Sequence, residues 1–153
     1  MMFEVRQAIL RSLVVLAAML CTSTLSAQDH QKADSSHADI VAAYVDAYNA
    51  KDLDAMMALM HDEVQWLSVE GDSVEVFADG KADLALQMKG YISSPASTTS
   101  EIDASLTDGR FVAVREIARW TGKDGTERSQ SALAIYEIEG GLVRRVWYYP
   151  ASR

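Results

Sequence analysis

The C-terminal half of this chain is a series of alternating apolar and polar residues, interrupted only by glycine-containing turns. The alternating runs cover residues 102–107, 111–120, 128–138 and 142–149, and the turns between them are Asp108-Gly109, residues 122–125 and Gly140-Gly141. Asp-Gly and Gly-Gly pairs favour tight hairpins because these turns require positive φ angles. The pattern therefore predicts consecutive antiparallel strands, and any fold for this chain must accommodate a sheet assembled from hairpins.

Two helices are predicted ahead of this sheet. Apolar residues recur at helical spacing from Ala38 to Tyr48, and the same spacing continues from Leu53 towards His61 and Asp62. The pattern breaks at residues 49–51, and Asp52 then follows as the predicted N-cap of the second helix, because its carboxylate can accept from the free backbone N–H groups there.

A strand and a third helix complete the predicted elements. Residues 64–69 predict a strand that ends at the turn Gly71-Asp72, and residues 81–92 predict a helix with Asp79 as its N-cap. Helices first and antiparallel strands last indicate an α+β fold. With 49% hydrophobic residues in 153, the chain can fill one core, so we expect a single domain.

The N-terminus has the composition of a secretory signal peptide. Two arginines precede a short apolar run at residues 13–20, and Leu25-Ser26-Ala27 offers small residues for cleavage. The apolar run is too short to span a bilayer, although a retained N-terminal anchor is the alternative. Leu20 directly before Cys21 does not fit a lipoprotein site, which needs a small residue there. We therefore predict a signal peptide at residues 1–27.

Export predicts a periplasmic or secreted protein in a bacterium. The mature chain would have no cysteine, so its stability would come from packing alone. Residues 28–37 are polar and aperiodic, which predicts a disordered leader before a domain at residues 38–153. Cleavage removes two arginines and one glutamate and so makes the net charge one unit more negative than −8. This acidity argues against nucleic acid and anionic membranes as partners.

With these elements in place, residues 39–150 resemble the nuclear transport factor 2-like superfamily, which includes ketosteroid isomerase and the SnoaL-like polyketide cyclases. The resemblance is carried by residues 44–54 and residues 135–149. It implies a cone-shaped half-barrel, in which a curved antiparallel sheet carries three helices on its concave side around an apolar pocket. The outer sheet face is the surface through which many relatives dimerise.

The resemblance to ketosteroid isomerase allows three positions to be matched. Tyr44 falls on the tyrosine that donates a hydrogen bond to the substrate oxygen. The carboxylate base falls on Ser68, and the second, protonated carboxyl group falls on Ala134. Because serine is not basic near neutral pH and alanine cannot donate a hydrogen bond, this match argues against steroid isomerisation. Tyr44 alone is also compatible with a role in the core.

The same match predicts which side chains line the pocket. The predicted lining consists of Tyr44, Trp66, Ser68, Phe111, Ala113, Arg115, Ala134, Tyr136, Val146 and Tyr148. The predicted catalytic residues are Tyr44, Glu70 and Arg115. Glu70 is the carboxylate that shares a strand face with Ser68, although a residue beside Gly71 is also typical of a solvated loop.

Arg115 is the most unusual of these residues, because a pocket arginine would need a carboxylate partner or an anionic or carbonyl-bearing ligand. Limonene epoxide hydrolase, in the same superfamily, uses an arginine with two aspartates, but no such triad can be matched here. Two alternatives stay open. Either the strand is shifted by one residue, so that Arg115 faces outward, or Arg115 pairs across the sheet with Glu137.

The last strand would place Trp147 and Tyr149 on the outer sheet face beside Arg145, which predicts a homodimer interface. The three histidines do not converge, and no spacing typical of a metal or nucleotide site is present, so we expect no metal and no cofactor.

Three functions are compatible with these patterns. The first is an exported protein that binds a small apolar or aromatic molecule with a polar acceptor. The second is an isomerase, lyase or hydrolase acting on a carbonyl or epoxide compound with a non-standard catalytic set. The third is a protein-interaction module in which the pocket is part of the core. The sequence does not identify the ligand or substrate.

Overall fold

Six strands form one curved, open sheet in the computed structural model, which describes residues 36–93 and 98–149 together with Lys32 and Asp34. The strands in chain order are β1 (Met60–Glu70), β2 (Ser73–Asp79), β3 (Thr99–Asp108), β4 (Phe111–Thr121), β5 (Glu127–Glu139) and β6 (Leu142–Tyr149). Their spatial order is β2-β1-β6-β5-β4-β3. All neighbours are antiparallel except β1 and β6, which run parallel because the last strand returns beside the first.

Within the described residues, three helices pack against the sheet and complete one hydrophobic core. They are α1 (residues 36–49), α2 (Leu53–Ala58) and α3 (Lys81–Ile92). Val41 from α1, Met56 from α2 and Leu84 from α3 are fully buried and belong to the same cluster as Tyr136 and Val146 from the sheet. The predicted α+β fold, with helices on the concave side of a curved sheet, is confirmed.

The facing of β4 differs from the prediction by one residue. Val112 and Val114 are buried against the helices, whereas Arg115 points to the convex face and forms an ion pair with Asp103 at 2.5 Å. The expectation that the Phe111 face lines the pocket is therefore wrong. Both faces of this strand combine apolar residues with a charged residue near the middle, Arg115 on one face and Glu116 on the other, so alternation alone could not distinguish them.

Most of the predicted helix caps and glycine turns are found in the structure. Asp52 caps α2 by accepting a hydrogen bond from the Ala55 N–H group at 2.9 Å. Gly109, Gly140 and Gly141 have positive φ angles in the β3–β4 and β5–β6 turns, as tight hairpins require. Asp79 is not the cap of α3, since Gly80 occupies that position and the Asp79 N–H group instead donates to the Asp83 carboxylate.

The region between the second and third helices contains more strand than predicted. Helix α2 ends at Ala58, and β1 already begins at Met60, so the end predicted near His61 and Asp62 is wrong. Strand β2 was not predicted, although Val74 and Val76 alternate with Glu75; both valines are exposed, so this apolar pattern does not mark a core face. This strand forms one edge of the sheet.

The predicted signal peptide at residues 1–27 lies outside the described residues. Ser36 and His37 already belong to α1, so this helix includes residues that the sequence assigned to a leader. His37 Nδ1 donates to the Gly109 carbonyl oxygen at 2.9 Å and so ties α1 to the β3–β4 turn. No helix within the described part of the chain is long and apolar enough to cross a membrane.

Candidate functional site

A cavity of about 360 Å³ lies between helices α1 and α3 and the concave face of the sheet. Six aromatic side chains form most of its wall, namely Tyr44, Tyr48, Trp66, Phe77, Tyr91 and Tyr148. Val45, Met88 and Ala118 add apolar surface, and the polar lining comes from Ser68, Thr98, Ser100 and Glu116. The site is thus a mainly aromatic cavity with one ionisable carboxylate, which is the usual composition of a small-molecule site.

Glu116 projects from the middle of β4 into this cavity. Its Oε1 atom accepts a hydrogen bond from the Tyr136 hydroxyl at 2.6 Å, and its Oε2 atom accepts one from the Ser100 hydroxyl at 3.3 Å. Tyr136 comes from β5 and Ser100 from β3, so both neighbouring strands hold the carboxylate. These donors fix its direction and leave acceptor capacity towards the cavity, since a carboxylate offers about four lone-pair positions.

Burial raises the pKa of the Glu116 carboxyl group above its ordinary value, although the hydrogen bonds from Tyr136 and Ser100 partly oppose that shift. A second carboxylate, Glu137, is more deeply buried on the convex side of the sheet. There Arg110 and Arg145 contact it at 3.3 and 3.4 Å. Among the described residues, the two carboxylates therefore differ in their neighbours: the buried Glu137 has two guanidinium partners, whereas the partly buried Glu116 accepts hydrogen bonds from hydroxyl groups alone.

The tyrosines around Glu116 stay neutral over the ordinary pH range. Burial raises the pKa of Tyr148 to about 12, and the negative charge of Glu116 adds to the effect. The same two causes raise the pKa values of Tyr44 and Tyr136. Among the described residues, the hydroxyl group of Tyr44 donates only to the sulfur of Met88, at 4.0 Å, and sulfur is a weak acceptor. Tyr44 therefore retains a hydroxyl that a ligand can use.

Ring contacts hold the aromatic wall together. The Trp66 ring centroid lies 5.9 Å from that of Tyr44, 6.4 Å from that of Tyr136 and 6.5 Å from that of Tyr148. Phe77 and Tyr91 form another pair, 6.2 Å apart. Tilted and edge-on contacts at these separations are favourable, and they keep large side chains in defined positions.

The C-terminal end of α1 is fastened to the start of β3 beside the cavity. The Asn49 side chain donates to the Ser100 carbonyl oxygen and accepts from the Ser100 N–H group, both at 2.8 Å. Lys51, which has a positive φ angle, donates to the Thr98 carbonyl oxygen at 2.6 Å. Because Ser100 also donates to Glu116, the Asn49 amide helps to position the group that holds the carboxylate.

The structure brings together only part of the predicted lining. Tyr44, Trp66, Ser68 and Tyr148 line the cavity, and Tyr136 lies beneath it as the donor to Glu116. Ala134 and Val146 are completely buried in the core, so they do not contact a ligand. Phe111 and Ala113 lie on the convex face, in a shallow groove with Trp147 and Tyr149.

Two of the three predicted catalytic residues lie away from the cavity. Arg115 is paired with Asp103 on the convex face, which contradicts its predicted place in the pocket and also excludes the alternative pairing with Glu137. Glu70 is exposed at the end of β1, beside the turn at Gly71, and does not line the cavity. Tyr44 alone is in a position to touch a ligand.

Sequence reasoning missed Glu116, the residue with the most distinctive surroundings. The strand itself carried a signal, because Glu116 lies on the same strand face as Val112 and Val114, two β-branched residues typical of a buried face.

Within the described residues, no three histidine, cysteine, aspartate or glutamate side chains are close enough together to share a metal ion.

Comparisons with known proteins agree with this architecture. Residues 41–146 match the SnoaL-like domain family, so this chain belongs to that family and to the nuclear transport factor 2-like superfamily. The resemblance found in the sequence is thereby confirmed. No curated protein matches the chain.

Several solved structures share the fold. An uncharacterised cystatin-fold protein from Novosphingobium aromaticivorans has 23% identity and a TM-score of 0.62, over 73% of this chain and 96% of that one. A candidate ketosteroid isomerase from Kribbella flavida has 19% identity and a TM-score of 0.62, over 78% and 81%. An LEH-like epoxide hydrolase from M. tuberculosis has 16% identity and a TM-score of 0.63, over 76% and 84%. Identities this low establish the fold alone.

The raised pKa of Glu116 makes the stability of the domain depend on pH in a defined direction. Between the ordinary glutamate value and the raised folded-state pKa, the folded protein holds a proton that the unfolded chain releases. The free energy of unfolding therefore loses this contribution as pH rises through that window. Glu116→Gln removes the titration, so the stability of the variant relative to the wild type should increase with pH.

Urea unfolding of both proteins across mildly acidic to neutral pH measures this difference. Glu101→Gln, at an exposed position on the neighbouring strand, controls for the loss of one negative charge. A relative stability of Glu116→Gln that stays constant, or that falls with rising pH, would contradict the assigned environment of Glu116.

Proposed function

We propose that this SnoaL-like domain binds a small, mainly apolar or aromatic molecule in the cavity, with one polar group directed at Glu116. The observation that carries the proposal is a carboxylate held by Tyr136 and Ser100 within an aromatic wall. A core without a ligand gains nothing from a buried carboxylate, because its desolvation is unfavourable. A binding site gains orientation and specificity from it.

The polar group of the ligand should be a hydrogen-bond donor. The sequence analysis favoured an acceptor, but that preference depended on Arg115, which lies outside the cavity. Glu116 in its ionised form only accepts hydrogen bonds. The hydroxyl group of Tyr44 adds a second, weaker point of attachment, so one end of the ligand is polar and the rest meets aromatic rings.

A second candidate function is proton transfer by Glu116. A carboxylate whose pKa is raised by burial is a better general base near neutral pH than an ordinary glutamate, and the cavity places it beside the ligand. The domain would then be an isomerase, lyase or hydrolase. Its catalytic carboxylate, Glu116, lies at neither Ser68 nor Ala134, the two positions that match the carboxylates of ketosteroid isomerase. The solved relatives with isomerase or hydrolase names support that class of chemistry by fold alone.

The binding proposal can be tested by filling the cavity. Ala118 lines the cavity wall, so Ala118→Leu should reduce the affinity for 4-tert-butylphenol about tenfold or more, because the added methyl groups occupy ligand space. Fluorescence of Trp66, which contacts the same space, provides the readout. Ala104→Leu, at an exposed site on β3, is the matched control and should bind like the wild type.

Absence of saturable binding to the wild type, or an equal loss of affinity in both variants, would contradict the proposed site.

Deuterium uptake from heavy water at the α-carbon of a bound small ketone would distinguish catalysis from binding. That uptake should disappear in Glu116→Gln if the carboxylate is the base, and it should not occur at all if the domain only binds.

We also propose that the domain functions after export to the periplasm, as the residues 1–27 indicate. Cleavage after Ala27 should leave a mature protein that begins at Gln28 and carries no lipid. The intact mass of the protein recovered from the periplasm tests this. A lipid-modified Cys21 at the N-terminus, or an uncleaved chain, would contradict it.

The convex sheet face supports the proposal of a homodimer. Phe111, Ala113, Ile135, Trp147 and Tyr149 line a shallow groove there, and Leu106 beside them is 71% exposed. A contiguous apolar surface on a soluble protein is typical of an interface. Trp147→Glu should therefore give monomers in analytical ultracentrifugation, whereas Val76→Glu, at an exposed apolar residue on edge strand β2, should not. A wild type that is monomeric at micromolar concentration would refute the dimer.

A further inference from the structure

Among the described residues, the carboxylate of Glu116 in the cavity has no positively charged partner. In the part of the chain that the structure describes, the cavity wall contains no lysine, arginine or histidine, and the partners of Glu116 are the hydroxyl groups of Tyr136 and Ser100. The nearby cation, Lys51, donates to the Thr98 carbonyl oxygen and lies over the Tyr48 ring, 4.5 Å from its centroid. It does not pair with Glu116.

This arrangement contrasts with the other buried carboxylate of the same sheet. Glu137 is neutralised by Arg110 and Arg145 on the convex face. A buried carboxylate ordinarily requires such a partner, since hydroxyl donors offset only part of the lost hydration. When it is ionised, Glu116 is therefore a negative charge on the concave face for which the described residues supply no counter-charge.

The walls around Glu116 have the chemistry that attracts a cation. Trp66 and the tyrosines Tyr44, Tyr48 and Tyr148 line the same cavity as the carboxylate, and their π faces carry partial negative charge. Aromatic rings combined with one carboxylate are a good environment for an alkylated ammonium group, whose methyl groups contact the rings while its charge faces the acid. A neutral donor would use the carboxylate but not the rings in this way.

We propose that the ligand of this cavity is a small organic cation, with a substituted ammonium group beside Glu116 and an apolar or aromatic body against the ring walls. The inference rests on the proposed binding function and specifies its ligand class. The ammonium group supplies the missing counter-charge, and the aromatic rings of the wall favour an alkylated cation over a strongly hydrated metal ion.

A pair of probes that differ only in charge tests this inference. In 4-(trimethylammonio)phenol, a positively charged nitrogen replaces the central carbon of the tert-butyl group of 4-tert-butylphenol, so shape and hydroxyl group are shared. Titration calorimetry near neutral pH should show that the cation binds about tenfold more tightly or better, as expected for a desolvated cation beside rings and a carboxylate.

Three variants, one of them a control, separate the contribution of the carboxylate from that of the rings. Glu116→Gln should remove most of the preference for the cation while the neutral phenol still binds, and Glu101→Gln, with the same change in net charge on the convex face, should keep the preference. Tyr91 is 58% exposed at the cavity, so Tyr91→Leu should fold normally and should weaken the cation more than the phenol. Circular dichroism confirms that each variant is folded.

The outcomes are distinct. Tighter binding of the cation that depends on Glu116 supports the inference. Equal affinity for the two probes, or a preference that Glu101→Gln abolishes as well, overturns it and leaves the binding proposal intact. Failure of both probes to bind the wild type overturns the binding proposal and the inference together.

Discussion

The hydrogen bond from the Tyr136 hydroxyl group to the Glu116 carboxylate connects the core of this domain to its cavity. Tyr136 is completely buried, so the carboxylate is anchored to a side chain of the core. Ser100 holds the other oxygen from the opposite neighbouring strand, and the Asn49 amide fixes the Ser100 backbone to helix α1. The position of a single charged group thus depends on three strands and one helix, which is how a rigid scaffold preorganises a site.

Charged side chains have different partners on the two faces of the sheet. On the convex face, Arg115 pairs with Asp103, and Glu137 has two arginine partners. On the concave face, Glu116 is surrounded by aromatic rings and neutral hydroxyl groups, and its charge in turn raises the pKa values of the tyrosines. Because an uncompensated carboxylate destabilises the folded state, its presence in the cavity supports the proposal that the cavity is organised for a ligand rather than for packing.

The sequence was sufficient for the fold but only partly for the site. Glycine turns, helical spacing and the Asp52 cap are local signals, and the elements they predict are found in the structure. The facing of β4 is set by tertiary packing, because Val112 and Val114 fit against the helices better than Phe111 and Ala113 do. A shift of one residue exchanges the faces of a strand, which moved Arg115 outward and brought Glu116 into the cavity.

The titration of Glu116 itself reports whether its carboxylate is desolvated and, among the described residues, without a cationic partner. A carbon-13 label on the glutamate side chains makes the δ-carbon of Glu116 visible by nuclear magnetic resonance, and Glu116→Gln identifies its signal. The midpoint of this titration should lie above the ordinary glutamate value, because burial disfavours the charged form. A midpoint at or below that value would show a hydrated or ion-paired carboxylate and would rule out the environment described for Glu116.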